Sequence, residues 1–468
     1  MSKKFIPEQF KNLEVEDITA LGKGVVKSKE GKVIFVSGVI PGDKISLETF
    51  KKRKGSFEGK LIKMNEPSKD RILPECEHFG ICGGCKWQNM SYEAQLLFKQ
   101  KQILNNLKNL SGMVLPEIEN IQPAPEPYFY RNKMEYTFSN KRWLTADEIA
   151  DKSMKIEKKG LGFHKAGMWD KVVDIHKCYL QPEPANEIRN SIKSFALENE
   201  LEFFNPSKQE GFLRSLMIRN SNRGELMVLI QFLDENKSQR EALMNFLKDQ
   251  FEIASLLYCI NSKSNDTLYD QEVICYSGKS YITEEMDGLH FKINAKSFFQ
   301  TNTRQAYELY KIARDFAGLH GKELVYDLYT GIGTIAQFVA KECNKVVGVE
   351  SVPEAIKAAQ YNAKDNGIKN AFFEVGDMRK VFNQDFITKH GKADVVITDP
   401  PRNGMHRDVV KQLLLLKPEK IVYLSCNNAT QARDLYLMKE KYKLVRSRAV
   451  DMFPQTQHVE NVVLLEKI

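Results

Sequence analysis

Two residues in the last fifty have the types that covalent catalysis needs. Lys420–Leu424 reads as a buried strand and runs straight into Ser425-Cys426-Asn427-Asn428. A cysteine at a strand tip can act as a nucleophile. The same position also suits a half-buried packing cysteine. A thiol of ordinary pKa, about 8.5, is only partly ionised at neutral pH, so Cys426 would need local activation to attack a carbon. Glu460 closes the run Asp451-Met452-Phe453-Pro454-Gln455-Thr456-Gln457-His458-Val459-Glu460 and precedes a last apolar strand, Val462–Leu465. There it could take a proton beside the thiol, or serve as a salt-bridge partner.

A second cysteine group is built differently. Cys76-x5-Cys82-x2-Cys85 lies in the glycine-bearing stretch Phe79-Gly80-Ile81-Cys82-Gly83-Gly84-Cys85. Glycines let backbone wrap closely around a compact inorganic centre. Three thiols need a fourth, and Cys178 in His176-Lys177-Cys178-Tyr179-Leu180 is the available one. Zinc and iron–sulfur both favour four thiolates, so spacing leaves the two open. Cys259, Cys275 and Cys343 stand apart, as packing cysteines do.

These groups need a scaffold. Val325–Leu328, Tyr329-Thr330-Gly331-Ile332-Gly333 and Thr334-Ile335-Ala336 read as strand, glycine turn and helix start. Lys345–Val349 is the next strand and ends in Glu350, an acid placed to accept hydrogen bonds from ribose hydroxyls. Taken alone, Gly331-x-Gly333-x-x-Ala336 also fits a nicotinamide dinucleotide fingerprint. Two further features separate the alternatives. Asp377 follows a third strand, Ala371–Val375, and is placed for an adenine amino group. The buried strand of Ala393–Thr398 ends in Asp399-Pro400-Pro401-Arg402, a rigid wall at the carboxyl edge of the sheet, where open α/β folds bind ligands. Together these marks resemble the S-adenosylmethionine-dependent methyltransferase fold. Arg402 stands where amino-directed methyltransferases carry a stacking aromatic, which argues against them.

A cysteine with a carboxylate fits methylation at carbon-5 of a pyrimidine. Carbon-5 of uracil becomes nucleophilic once a thiolate adds to carbon-6. A base must then remove the carbon-5 proton so that the thiol can leave. At this point the chain resembles the RumA/RlmD–TrmA family of RNA uracil-5-methyltransferases. The marks are Phe298-Phe299-Gln300-Thr301-Asn302, Asp327–Gly333, Asp399-Pro400-Pro401-Arg402-Asn403-Gly404, Ser425-Cys426-Asn427 and His458-Val459-Glu460, in family order. The resemblance implies that Gln300, Tyr329, Glu350, Asp399 and Asp377 bind S-adenosylmethionine, that Cys426 is the nucleophile and that Glu460 is the base. It also implies a [4Fe-4S] cluster on Cys76, Cys82, Cys85 and Cys178, in a structural or RNA-organising role. One departure is Asn428, where the family usually has a proline that shapes the nucleophile loop.

The fold expected is α/β, with three domains. Residues 1–65 carry short β segments at Gly24–Lys27, Lys32–Val36 and Lys44–Thr49, separated by glycines and Pro41-Gly42. That spacing suggests a small barrel. Through Gly22-Lys23-Gly24 and Val39-Ile40-Pro41-Gly42-Asp43 it resembles a TRAM domain, an OB-like RNA-binding barrel. With 14 basic and 8 acidic residues, this stretch holds most of the chain's net charge of +8, and Lys51-Lys52-Arg53-Lys54 reads as a loop that could contact phosphates. Residues 66–285 read as an α+β central domain bearing the cysteine cluster. Its helix near 92–110, with Leu96, Leu97, Ile103, Leu104 and Leu107 at helical spacing, is expected to pack on the catalytic domain. Residues 286–468 alternate strand and helix, the pattern of a Rossmann-like methyltransferase domain. Glu126-Pro127-Tyr128-Phe129-Tyr130-Arg131-Asn132-Lys133 interleaves aromatic, basic and amide groups that could stack on splayed bases. The family match makes Arg131, Asn132 and Lys133 expected RNA contacts or cleft-shaping residues.

Composition bounds the partners. Eight cysteines in 468 residues are too few for a disulfide-stapled secreted scaffold. Met1–Glu8 lacks a signal-peptide core and no window approaches about 18 apolar residues, so a cytoplasmic protein away from membranes is expected, monomeric by default. Structured RNA is the expected substrate. The 23S rRNA is favoured, because within the family a TRAM barrel with the cluster accompanies that branch more often. A tRNA uridine-54 target, a cytosine-5 RNA methyltransferase and a non-catalytic iron–sulfur RNA-binding protein are the rivals. Intact Cys426 and Glu460 argue against the last.

Overall fold

The computed structural model describes residues 5–53, 55–151, 153 and 156–468; Met1–Lys4 and Lys54 lie outside the described residues, while Lys51, Lys52 and Arg53, expected in a loop, end the strand Lys44–Arg53 because they pair with Ser56–Glu58. The chain forms two compact units, one running to Gln102 and taking in Phe453–His458, the other built from Ile103–Met452 and Val459–Ile468.

The first unit opens with a closed barrel, in the order Gln9–Ile18, Gly24–Lys27, Val33–Val36, Ser56–Glu66, Lys44–Arg53. Alternate residues point inward, so Val15, Val26, Ile34, Val36, Ile45 and Leu47 make its core. Gly24 has no room for a side chain: a Cβ there would sit 2.5 Å from Val39 and 2.8 Å from Val15. The first strand was not expected, because Gln9–Ile18 is a mostly polar run whose partners are Gly24–Lys27 and Lys44–Arg53. The buried Asp43 carboxylate ties the barrel to the segment after it, accepting from Arg71 Nε at 2.9 Å and from the Ser68 amide at 2.9 Å. The irregular stretch 67–91 carries Cys76, Cys82 and Cys85, all partly buried. Just beyond these cysteines, the Gln455 carbonyl accepts the amides of Lys86 (3.0 Å) and Trp87 (3.1 Å). Gln95 and Gln455 exchange two further hydrogen bonds, at 3.0 and 2.9 Å. The segment 453–458 is thereby stitched to the cysteine-bearing stretch.

In the second unit an eight-stranded sheet runs Ala371–Val375, Lys345–Glu350, Leu324–Leu328, Val395–Thr398, Lys420–Ser425, Glu460–Lys467, Tyr442–Val450, Glu119–Gln122. The first five strands pair in parallel, and Glu460–Lys467 inserts antiparallel between Lys420–Ser425 and Tyr442–Val450. Strand order reverses at Leu324–Leu328, the switch point where such sheets open a ligand crevice. This is the Rossmann-like methyltransferase arrangement. The eighth strand, Glu119–Gln122, comes from the stretch expected to belong to the central domain. It pairs in parallel with Tyr442–Val450 and covers what would be an open sheet edge. The hairpin Tyr281–Met286/Leu289–Asn294 likewise crosses the expected boundary at 285/286.

The helix Tyr92–Leu110 is present, and Ile103 and Leu107 are fully buried in the core of this sheet with Tyr326, Val347 and Tyr423. Leu97 and Leu104, read as part of the same apolar face, are 70% and 41% exposed. A second, seven-stranded sheet runs Ile274–Gly278, Ser255–Ile260, Leu226–Phe232, Leu213–Asn220, Lys133–Ser139, Gly160–His164, Val172–Asp174. Among the described residues no helix is long and apolar enough to cross a membrane.

Candidate active site

Strand register brings the two expected catalytic residues together. Ser425 lies opposite Asn461 in the last pair of the antiparallel ladder, and one residue beyond it Cys426 comes within electrostatic reach of Glu460. Cys426 is half-buried and Glu460 is 4% exposed. Burial, then the carboxylates of Glu460 and Asp399, push the thiol up to about 11. Arg402 acts the other way, through its positive charge and a hydrogen bond to the thiol. Burial and the neighbouring Asp399 raise Glu460 well above the usual carboxylate range, against the pull of Arg402. Asp399 is itself pushed up to about 7 by burial. Burial and the two carboxylates thus favour the thiol form of Cys426, and Arg402 favours the thiolate.

Sequence reasoning had used Arg402 only as a missing aromatic. The signal available was a cation three residues beyond Asp399, on the loop that reaches Cys426. That loop is clamped onto the helix Asn428–Met438. Asn427 caps the helix with its side-chain oxygen on the amides of Ala429 and Thr430, and sends its amide to the Arg402 carbonyl at 3.0 Å. Thr430 bonds the same carbonyl at 3.2 Å, and Asp434 receives the Met405 amide at 2.8 Å. Asn428, in place of the family's proline, is the first residue of that helix. It is 3% exposed, with its side chain bonded to Asn106 at 2.5 Å.

The glycine turn is shaped for a bound ligand. Tyr329, Gly331 and Gly333 all have positive φ, and a Cβ on Gly333 would lie 2.7 Å from the Phe373 ring. Asp327 is fully buried, bonds the Thr330 hydroxyl and the Ala336 amide, and is pushed up to about 7 by burial. Its other oxygen has no partner among the described residues. At the tip of the next strand, Glu350 accepts the amides of Gly331 (3.3 Å), Ser351 (2.7 Å) and Val352 (3.1 Å), which fixes its carboxylate over the turn. A glycine cradle with this acid fits a nucleoside bearing ribose hydroxyls. Asp377 is held by Arg379 at 2.6 Å, which lowers it to about 2. Gln300 bonds the buried Tyr310, whose hydroxyl is raised by burial and by Asp399.

The expected RNA segment divides. Asn132 is 6% exposed, and its amide bonds Gln300 O (3.0 Å) and Thr303 Oγ1 (2.9 Å). It therefore braces the segment that carries Gln300, the cleft-shaping alternative. Arg131 and Lys133 are partly exposed; burial lowers the Lys133 ammonium, while its ion pair with Glu135 at 2.6 Å opposes that. Cys178 is 8% exposed, its backbone is clasped by Asn186, and burial raises its thiol. Cys259 and Cys343 are buried as expected. Cys275 is not a core residue: it is exposed on the edge strand Ile274–Gly278.

The model of the tRNA (uracil-5-)-methyltransferase family matches residues 223–468. A protein of Bacteroides thetaiotaomicron described as an uncharacterized RNA methyltransferase is 51% identical over 96% of this chain and 100% of its own length. One of Porphyromonas gingivalis, described in the same words, is 49% identical over 97% of this chain and 99% of its own. Among solved structures, Pyrococcus abyssi tRNA (uracil-54, C5)-methyltransferase in complex with S-adenosyl-L-homocysteine superposes with a TM-score of 0.76 at 31% identity, covering 97% of this chain and 99% of that one. The crevice at the strand switch point, the neighbouring cysteine and glutamate and these likenesses agree, and the chain belongs to the tRNA (uracil-5-)-methyltransferase family as an S-adenosylmethionine-dependent RNA (uracil-5-)-methyltransferase.

Proposed function

We propose that this enzyme methylates carbon-5 of one uridine in 23S rRNA through a covalent adduct on Cys426. The observation that carries the chemistry is that Cys426, just past the end of its strand, lies within electrostatic reach of Glu460 and is hydrogen-bonded by Arg402. Arg402 stabilises the thiolate as the Cys426 proton passes to solvent water. The Cys426 sulfur then bonds carbon-6, and the ring's electrons move to carbon-5 as an enolate. Carbon-5 then bonds the methyl group that S-adenosylmethionine supplies as an electrophilic sulfonium, the methyl–sulfur bond breaks and S-adenosylhomocysteine leaves. The Glu460 carboxylate takes the carbon-5 proton, the carbon-6–sulfur bond breaks, the ring double bond re-forms and Cys426 departs as thiolate. Once ionised, a carboxylate of raised proton affinity is a stronger acceptor for that step. The uracil must leave its stack to reach the thiol, so the target is flipped out or unpaired.

Gln300, Tyr329, Glu350, Asp399 and Asp377 are read as the S-adenosylmethionine set, and Arg131, Asn132 and Lys133 as contacts or braces for RNA. The domains keep their expected roles, with 1–65 as an RNA-gripping barrel, 66–285 as the central domain and 286–468 as the catalytic one, in a monomeric cytoplasmic enzyme. The cluster proposal rests on the donor set. Three thiols share one glycine-bearing stretch, and the resemblance implies Cys178 as fourth ligand to a [4Fe-4S] centre. The barrel and the cluster favour rRNA. The likeness to the Pyrococcus abyssi enzyme favours a tRNA target as the second reading.

Incubation with S-adenosylmethionine and either ribosomal RNA or tRNA, followed by nucleoside mass spectrometry, tests this. New 5-methyluridine in ribosomal RNA is expected, absent with Cys426→Ala. Glu460→Gln should accumulate a denaturation-resistant protein–RNA adduct, because the carbon-5 proton stays. RNA binding without methyl transfer would sink the enzymatic proposal, and a methylating Cys426→Ala variant would sink the adduct.

A further inference from the structure

Trp169 is 69% exposed, at the tip of a hairpin that has no role in the chemistry above. The hairpin is formed by Gly160–His164 and Val172–Asp174, with His164 opposite Val172. Its tip is closed by the Lys165 amide on the Lys171 carbonyl at 2.8 Å and turned by the Met168 amide on the Lys165 carbonyl at 2.9 Å. Gly167, at φ +80, makes the bend, and nothing lies within 4 Å of where its Cβ would be. Met168, beside Trp169, is 40% exposed. The tip thus projects into solvent on an ordered turn.

Its base is stiff. Gly160–His164 pairs with Lys133–Ser139, and the Phe163 and Tyr136 rings lie 4.9 Å apart. A Cβ on Gly162 would meet the Val173 carbonyl at 2.0 Å, so the two strands approach as closely as backbone allows. Trp143 donates its amide to the Val172 carbonyl at 2.7 Å, and the Lys165 ammonium sits 4.4 Å above the Trp143 ring.

An indole left in water forfeits the burial of one of the largest side chains, so Trp169 contributes little to holding the fold. Its surroundings decide what would cover it. Lys165 and Lys171 bracket the tip, the Lys141 carbonyl accepts the Val172 amide, and Asp170 is the one acid between the two bracketing lysines. A protein-binding hot spot needs a ring of apolar surface to exclude water. Stacking on a nucleobase needs only a π face and cations for the flanking phosphates. The hairpin also extends the sheet from the strand that begins at Lys133, next to the segment read as facing RNA.

We infer that Trp169 is an RNA-stacking finger, which takes an unpaired base of the substrate outside the target uridine while Lys165 and Lys171 hold its phosphates. This rests on the RNA-methyltransferase reading and adds a substrate-gripping point to it. It makes Trp169 a binding residue, with no part in bond making.

The chain's three tryptophans allow a direct test: Trp87 is 1% exposed, Trp143 is half-buried and Trp169 is open. Acrylamide quenching is measured with and without saturating ribosomal RNA and, separately, tRNA, for wild type and Trp169→Phe. RNA is expected to protect a quenchable component in wild type that the variant lacks. In methylation kinetics Trp169→Ala should raise KM for RNA between about 5- and 150-fold, the equivalent of the ~1–3 kcal/mol of one stacked base, at unchanged kcat. Trp169→Phe should restore most of that loss. A Trp169 that stays open to quencher at saturation, with KM unchanged in the alanine variant while 5-methyluridine forms normally, would overturn the finger and leave the enzyme reading standing. Protection by a protein fraction but not by RNA would overturn it too. A wild-type protein that neither binds nor methylates RNA would take down both.

Discussion

Asn427 donates its side-chain amide to the Arg402 carbonyl at 3.0 Å, while its side-chain oxygen caps the helix Asn428–Met438. One residue next to Cys426 therefore sets both the helix start and the loop carrying Arg402. Asn427→Ala is expected to cost about 1 kcal/mol, as lost caps do, and to lower kcat while leaving S-adenosylhomocysteine affinity intact. Urea unfolding, methylation kinetics and calorimetry read these effects. A variant weakened equally in kcat and cofactor affinity would place Asn427 elsewhere in the mechanism.

Cys426 is pushed up to about 11 by burial and the nearby carboxylates. Alkylation by iodoacetamide follows the thiolate. The rate on the Cys426 peptide, followed by mass spectrometry, should rise about tenfold per pH unit from 7 to 9, without a plateau. Arg402→Gln should slow it further at every pH, because a cation favouring the thiolate is gone. A plateau below pH 8 would contradict the geometry.

Asp399 is raised to about 7 by burial, against an unfolded value near 4. Between these pH values the folded chain holds a proton that the unfolded chain has released, so stability falls as pH rises through this window. Asp399→Asn should remove the effect. The variant is expected to gain stability over wild type at pH 8, with the gap narrowing as pH drops below 7 and closing near 4. Urea titrations of ligand-free protein at pH 5 and 8 would show it, and equal gaps at both would not fit.

Glu350 and Asp377 were both expected to bind the nucleoside, yet their carboxylates are held differently. Glu350 rests on three backbone amides at the glycine turn, whereas Asp377 is engaged by Arg379. Glu350→Gln should weaken S-adenosylhomocysteine by about tenfold or more, the scale of hydrogen bonds to a charged group. Asp377→Asn should cost less than about threefold. The reverse order in calorimetry would reassign the two.

A thiolate-held iron–sulfur centre predicts brown protein on anaerobic purification, with iron lost in Cys82→Ser. Because Lys86 and Trp87 bond the Gln455 carbonyl, metal removal should also open residues 453–458 to limited proteolysis. Stoichiometric zinc in colourless protein would replace iron with zinc in the proposal.

How much of the site was legible in the sequence depends on locality. Cys426 and Glu460 were legible because each sits at the tip of a strongly apolar strand, and the pairing of those two strands brings the tips together. Arg402 was not, because its position depends on a loop folded back by Asn427 and Thr430 across two elements. Asn132 looked like part of an RNA-facing segment; its amide instead serves Gln300 and Thr303, about 170 residues on, which no periodicity reveals. Glu119–Gln122 has neither alternation nor β-branched content worth the name, apart from Ile121, and is a strand only because Tyr442–Val450 offers it an edge. Cys275 was grouped with packing cysteines by type, but the far edge of the seven-stranded sheet leaves it in solvent.

The placement of residues 453–467 has a consequence for biogenesis. Residues 453–458 complete the first unit, and Glu460–Lys467 fills the middle of the eight-stranded sheet. A nascent chain that has emerged only as far as Val450 can close the barrel, but it lacks the segment stitched to Lys86, Trp87 and Gln95 and has a gap between Lys420–Ser425 and Tyr442–Val450. Cys426 and the glycine turn would both be present in it, yet the edge of Lys420–Ser425 would be bare and Glu460 missing. A chain cut short before residue 453 would therefore expose two unpaired strand edges, the kind of surface on which other chains can pair.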